Sequence, residues 1–241
     1  MKALLTGANS LVNKAILDKL TKLGYEVTAH YHTDNEITAE LKKTYTDVTF
    51  VQADYADKDS FANFIKRILG VDKFDVVING AVYYAEANDW KAQLDWDQWQ
   101  KNFAINTTSA GMLMSHADQL LNSGGVIVNI SSTYGQPYMG DTQFTMYGAS
   151  KAALDLLTEN YAKRWHSKSI RVVGIAPGWV KSAWNNDMSE ADIQAMVSEK
   201  HLVAKLIEPE EIADLTEQVI KNKGINATTI VIDGGLSSPI I

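Results

Sequence analysis

The feature that most constrains this chain is its alternation of short β-branched runs with longer stretches of helical period. Val76, Val77, Ile78 and Ile230, Val231, Ile232 are apolar at successive positions, not at every second one. Strands with one wet face alternate, so these runs belong to strands covered on both faces, as in a parallel sheet layered with helices. Strands are predicted near residues 2–6, 26–31, 48–52, 74–79, 125–131, 170–176 and 228–232. Helical period marks 11–23, 36–44, 58–69, 96–121, 144–166, 188–200 and 209–223. Val12, Ile16, Leu20 and Leu23 give the first helix an apolar stripe, and Gly24 stops it. The fold class is therefore α/β, a single Rossmann-like doubly wound parallel sheet of about seven strands flanked by helices. No repeat, low-complexity tract or linker divides residues 1–241.

A length of 241 residues suits one domain with a sizeable core. The net charge of −7 and pI near 5.2 argue against a nucleic-acid or anionic-membrane partner, which would need a basic face. No apolar run approaches the roughly 18 residues of a membrane span. The opening Met1 to Thr6 reads as the first strand, so a cytoplasmic protein is expected. The absence of cysteine excludes disulfides, a thiol nucleophile and thiolate-bound zinc. His30, His32, His116, His166 and His201 show no ligand spacing, and no metal site is expected.

In such sheets ligands bind beyond the carboxyl ends of the strands, where strand order reverses. Thr6 to Ser10, Asn79 to Ala81, Ser132 and Pro177 to Val180 all follow predicted strands at those ends, so they should converge on one cleft. Tyr147 and Lys151 are four apart on a helical stretch and share one face. An ammonium beside a phenol favours the phenolate. Bringing a tyrosine from about 10 to near 7 takes roughly 4 kcal/mol and would make Tyr147 a general acid/base at neutral pH. Ser131 and Ser132 end an apolar run, and strand alternation points them to opposite faces.

Taken in order, Thr6-Gly7-Ala8, Asn106, Ser132, Tyr147 with Lys151, and Ala176-Pro177-Gly178-Trp179-Val180 resemble the short-chain dehydrogenase/reductase family over nearly the whole chain. The resemblance implies hydride transfer between NADP or NAD and a small carbonyl or alcohol substrate. Tyr147 would donate the proton, Ser132 would bind the substrate oxygen, and Lys151 would lower the tyrosine pKa and hold the nicotinamide ribose. Asn106 would hold a water or a backbone kink linking Lys151 to solvent. The cofactor would be met by Gly7, Asn9, Ser10, Leu11 and Val12 in the first loop, and by His32 after the second strand. Asn79, Gly80 and Ala81 match part of the family's Asn-Asn-Ala-Gly turn. Pro177, Gly178 and Val180 match the carboxamide turn, and Ser182 stands where a threonine is usual. Asp54 occupies the adenine-binding aspartate's place; its alternative role is a cap for the next helix.

Two residues depart from the family's Thr-Gly-x-x-x-Gly-x-Gly loop, with Leu11 and Asn13 at the second and third glycine positions. Either the first helix shifts outward or cofactor affinity falls. Tyr31 stands where an acid would grip the ribose for NAD, which leans the choice toward NADP, although no arginine stands ready for a 2′-phosphate. Tyr83, Tyr84, Tyr134, Tyr138, Trp179 and Trp184 should surround the substrate pocket, with residues 183–205 as its lid. Trp90, Trp96 and Trp99 lie at or near the start of the helix where related proteins pack subunits, so a homo-oligomer, tetramer or dimer, is expected. Phe144, seven before Lys151, lacks the hydroxyl that enoyl reductases place there. The lost loop glycines motivate an alternative, a non-catalytic nucleotide- or partner-binding regulatory protein on the same fold.

Overall fold

A computed structural model describes residues 1–84, 95–137, 139, 144–182, 185 and 187–238. Its strands are β1 (Lys2–Leu5), β2 (Glu26–Tyr31), β3 (Thr49–Gln52), β4 (Phe74–Asn79), β5 (Leu121–Ile130), β6 (Arg171–Pro177) and β7 (Thr228–Ile232). They form one seven-stranded sheet in the order β3-β2-β1-β4-β5-β6-β7. Every pairing is parallel. The helices are α1 (Leu11–Lys22), α2 (Glu36–Thr44), α3 (Lys58–Leu69), α4 (Trp96–Phe103), α5 (Ser109–Ser115), α6 (Ala117–Leu120), α7 (Thr145–Arg164), α8 (Glu190–Lys200) and α9 (Pro209–Lys221). Strand order reverses between β1 and β4, which puts the loops after those strands on either side of the binding crevice.

The successive apolar runs resolve into two cores. Leu4, Val77, Ile127 and Val172 face Phe61, Phe64, Leu113 and Leu154 on one side of the sheet. Leu5, Ile78, Val128 and Val173 face Ile16, Leu17, Leu20, Ile212 and Val219 of α1 and α9 on the other. Each such side chain removed from water contributes about 1.5–3 kcal/mol, which is why neither face can tolerate a polar residue without a partner.

Local signals set the element ends. Ser10 caps α1 by accepting from the Asn13 amide at 3.2 Å. At its far end Gly24 takes a φ of +79°, so that Tyr25 N donates to Leu20 O at 3.1 Å and Gly24 N to Thr21 O at 3.0 Å. Helix α9 ends against Arg171, whose guanidinium donates to the carbonyls of Val219, Ile220 and Ile225 at 2.9, 3.0 and 2.7 Å.

The predicted helix over 96–121 is the main departure. It breaks into α4, a π-helical turn over 104–108, α5 and α6, and β5 begins at Leu121, earlier than its apolar run suggests. The cause of the break is Asn106. Its amide Oδ1 accepts from Tyr83 N and its Nδ2 donates to Tyr83 O, both at 2.7 Å, so the helix is held by a neighbouring loop at its bulge.

Candidate active site

Helix α7 carries Tyr147 and Lys151 beneath the ends of β5 and β6. Lys151 is 2% exposed, and its Nζ donates to Ile130 O at 2.8 Å while lying 5.7 Å from the centre of the Tyr147 ring. Burial lowers its pKa to about 8, against a rise from the Asp155 carboxylate one turn further on. Burial pushes the Tyr147 phenol up to about 12; the hydrogen bond with the Ser132 hydroxyl opposes this, and Tyr84 and Tyr134 add to it. The expected fall toward 7 is therefore absent in the ligand-free chain, because desolvation outweighs an ammonium already committed to Ile130 O. Ser132, at the end of β5, also accepts from Tyr134 N at 3.2 Å. Ser131 lies beside Asp155 instead, and helps hold that carboxyl down against a rise caused by burial.

Asn106 reaches the same cluster from the side. Besides Tyr83, its Nδ2 approaches Ser150 Oγ at 3.1 Å, and Ser150 donates to Tyr147 O at 2.7 Å. The residue thus fixes the β4 loop and the first turns of α7 to one another, with the backbone kink supplied by its own π turn.

The first loop is built differently from the glycine pattern. Asn13 is 1% exposed, and its Nδ2 donates to Gly7 O and to Gly80 O, each at 2.8 Å. A Cβ on Gly80 would lie 2.2 Å from Asn13 Oδ1. The family's second Asn of the β4 turn is a glycine here, and an asparagine occupies the glycine position across the gap. Volume has moved from one loop to the other, so α1 need not shift outward. Leu11 is 46% exposed at the helix start, away from this contact. Gly7 has a φ of +74°, and its added Cβ would meet Ala81 Cα at 2.7 Å. The groove between these loops fits a dinucleotide's phosphates: the α1 amides of Leu11 and Val12 precede the first intrahelical bonds, while Gly7 and Gly178 let their loops pack closely on Ala81 and Asp233.

The other cofactor positions differ in their freedom. Asn9 is half-buried in the first loop. Asn79 is 5% exposed and its Nδ2 donates to Asn129 Oδ1 at 2.7 Å, which turns it into the sheet rather than the groove. Gly80 and Ala81 donate their amides to Thr6 Oγ1 at 3.0 and 3.1 Å. Asp54 accepts from Ala56 N at 2.8 Å through Oδ1 and lies 3.6 Å from His32 Nε2 through Oδ2, while the cap of α3 is Asp57. Gly178 N donates to Ile232 O at 2.9 Å, Val180 pairs with Ile207 beyond Pro177, and Ser182 N donates to Asn185 Oδ1 at 3.1 Å.

Sequence reasoning passed over His30. It is 2% exposed, stacks on Tyr55, accepts from Gly7 N through Nδ1 at 3.1 Å and bonds Ala53 O through Nε2 at 3.0 Å. The imidazole is therefore neutral, with its proton on Nε2, and burial lowers its pKa to about 4. The signal was its place near the carboxyl end of β2, beside the glycine loop.

Aromatic side chains wall the space over Tyr147. The rings of Tyr84 and Tyr134 both lie 6.4 Å from it, Phe144 packs 4.7 Å from Tyr134, and Trp179 Nε1 donates to Tyr134 OH at 3.2 Å. Tyr138, Trp184, Trp90 and residues 183 and 186 of the expected lid lie outside the described residues. Among the described residues, no group of acidic or histidine side chains could hold a metal, and no helix is long and apolar enough to cross a membrane.

Residues 7–237 match a family model described as Enoyl-(Acyl carrier protein) reductase. The chain is 28% identical to an uncharacterized oxidoreductase of Thermotoga maritima, with 99% of this chain and 96% of that protein aligned. It is 27% identical to 3-oxoacyl-[acyl-carrier-protein] reductase FabG of Staphylococcus aureus, over 97% of each. Among solved structures, a short-chain dehydrogenase from Burkholderia cenocepacia in complex with NADP superposes with a TM-score of 0.85 at 25% identity, covering 98% of this chain and 97% of that one. A short-chain dehydrogenase/reductase from Serratia marcescens gives 0.87 at 23% identity, with 98% of both chains covered.

Proposed function

The chain belongs to the short-chain dehydrogenase/reductase family and is an NAD(P)-dependent oxidoreductase, and from that premise we propose that it reduces a carbonyl compound through Tyr147, Ser132, Lys151 and Asn106. The observation that carries this reading is the buried Lys151 ammonium behind a Tyr147 phenol that shares a hydrogen bond with Ser132. When bound, the nicotinamide supplies the hydride. Tyr147 gives its phenolic proton to the carbonyl oxygen, Ser132 holds that oxygen, and Lys151 stabilises the phenolate that Tyr147 becomes. Asn106 positions Tyr147 and Lys151 through Ser150.

NADP is favoured over NAD. Tyr31 stands in the acid's place, and Lys42 Nζ donates to its hydroxyl at 2.9 Å and to Asp34 Oδ1 at 3.0 Å, so a 2′-phosphate would draw on this cation in competition with Asp34. The Burkholderia relative's complex with NADP points the same way. Enoyl reduction is disfavoured, since Phe144 packs on Tyr134 with no hydroxyl to offer. The exposed Trp96, Met112 and Leu156 on α4, α5 and α7 support a dimer or tetramer formed through those helices. Residues 1–241 act as a single domain with 183–205 as the lid, and an acidic chain without cysteine suits the cytoplasm.

The test is titration with NADPH and NADH by fluorescence, followed by NADPH oxidation against a carbonyl panel. Binding with turnover that Tyr147→Phe abolishes is the expected result. Binding without turnover on any carbonyl would instead support the regulatory alternative.

A further inference from the structure

His201, at the end of the lid helix α8, is 4% exposed, and neither ring nitrogen has a hydrogen-bond partner among the described residues. Two orphaned nitrogens in one buried imidazole are costly unless something meets them. Its position is held firmly. Val203 N donates to Gly234 O at 2.8 Å, and Leu202 sits against Gly235, where an added Cβ would lie 2.7 Å from Leu202 Cβ. Asp233, the carboxylate whose field acts on the ring, is already engaged, accepting from Gly235 N at 2.9 Å and Ser237 N at 2.8 Å.

The ring stands at 82° to Trp179 with centroids 5.3 Å apart. Trp179 in turn bonds Tyr134, whose ring lies 6.4 Å from that of Tyr147. The imidazole therefore adjoins, through Trp179, the aromatic wall that encloses the reacting centre, and it is a buried polar group there with both nitrogens unpartnered among the described residues. Resting on the reductase reading above, we propose that His201 is a substrate-binding residue that selects carbonyl compounds carrying a hydroxyl group on the arm that passes Trp179. Burial keeps the imidazole below the ordinary histidine pKa despite Asp233, so at pH 7 it presents one donor and one acceptor. A hydroxyl can engage either nitrogen, as acceptor at one or donor at the other. A purely apolar substrate leaves both unpaired, and a site built to bond a hydroxyl discriminates strongly against the analogue lacking it.

The experiment compares 2-hydroxyacetophenone and 4′-hydroxyacetophenone with acetophenone in wild type, His201→Phe and His201→Gln. Wild type should prefer at least one hydroxylated ketone in kcat/KM. His201→Phe should lower that preference at least tenfold, and His201→Gln should retain part of it. A preference unchanged in His201→Phe, including an equal loss on all substrates, overturns the proposal. An independent readout is the His201 imidazole NMR signal in the NADP-saturated protein. It should shift with 1-phenyl-1,2-ethanediol or 1-(4-hydroxyphenyl)ethanol but not with 1-phenylethanol. Turnover with a silent imidazole sinks the His201 role and leaves the reductase reading standing. A responsive imidazole without turnover does the reverse.

Discussion

Replacing Gly80 by Ala tests whether the glycine loop has been rebuilt rather than lost. Gly80 is not among the glycines with positive φ, so its backbone would accept alanine, and only the side chain across the gap objects. The new Cβ would lie 2.2 Å from Asn13 Oδ1 and 2.7 Å from its Cγ and Nδ2. Relief requires the Asn13 amide to swing away, breaking its bonds to Gly7 O and Gly80 O. Two buried hydrogen bonds lost and two carbonyls unpaired come to about 2–4 kcal/mol. Asn13→Gly loses the same bonds and adds a glycine to the first helical turn, about 2.5–5 kcal/mol in all. In the double variant the space is already vacant, so the alanine should add under about 1 kcal/mol, and the cycle should be non-additive by about 2 kcal/mol. Urea unfolding of the four proteins measures this. Additivity within about 0.5 kcal/mol would mean that the two residues do not contend for one space. NADPH titration adds a second arm: Asn13→Gly should loosen binding, because the amide ties together the loops on either side of the groove.

Three further outcomes are expected. His30 takes up a proton near pH 6.5 when unfolded and only near 4 when folded, so between those values the unfolded chain binds more protons. Stability should fall by about 3 kcal/mol as pH drops from 6.5 to 4, and a His30→Gln variant unfolded in urea across that range should lack this slope. Arg171→Ala removes the group that caps α9 and should destabilise by about 2–4 kcal/mol; a change under about 0.5 kcal/mol in the unfolding midpoint analysis would mean water replaces it. Tyr147→Phe should abolish turnover with the fold intact, whereas Lys151→Met should abolish turnover, weaken NADPH binding and raise the urea midpoint.

The sheet was legible because its signal is redundant: β1, β4, β6 and the apolar part of β5 are buried on both faces, which leaves no other use for consecutive apolar residues, while the edge strands β3 and β7 are only partly covered. Helix α1 was legible for the same reason, with both caps written in Ser10 and Gly24. The 96–121 region was misread because periodicity reports only which face is apolar. It is silent about Asn106, whose bonds to Tyr83 form only once the β4 loop is in place. Asn13 was misjudged for a related reason. Its size was visible, but the space that receives it belongs to Gly80, 67 positions away. His30 and His201 escaped because a lone histidine carries no spacing to read, and their meaning lies in what the fold packs around them.

Lys151 also bears on the choice between catalyst and regulator. Holding its ammonium at 2% exposure depresses the pKa from 10.5 to about 8, a penalty of about 3 kcal/mol at neutral pH. Its Nζ donates to the carbonyl of Ile130, and Asp155 acts on it through its field. A buried charge so thinly compensated destabilises the fold, and an apolar residue of similar length would remove the penalty. Cofactor binding alone does not require a buried charge, since amides and hydroxyls at the groove's edge can hold a phosphate or ribose without one. Proton donation gives a reason. As Tyr147 gives its proton to the carbonyl oxygen, negative charge appears on its own phenolate, whose ring centre lies 5.7 Å from the ammonium, and in a desolvated site that attraction is far larger than in water. The interaction is absent in the resting state, where the phenol is neutral, so it favours the transition state without first tightening the ground state. A stability gain in Lys151→Met accompanied by loss of turnover is what this exchange requires.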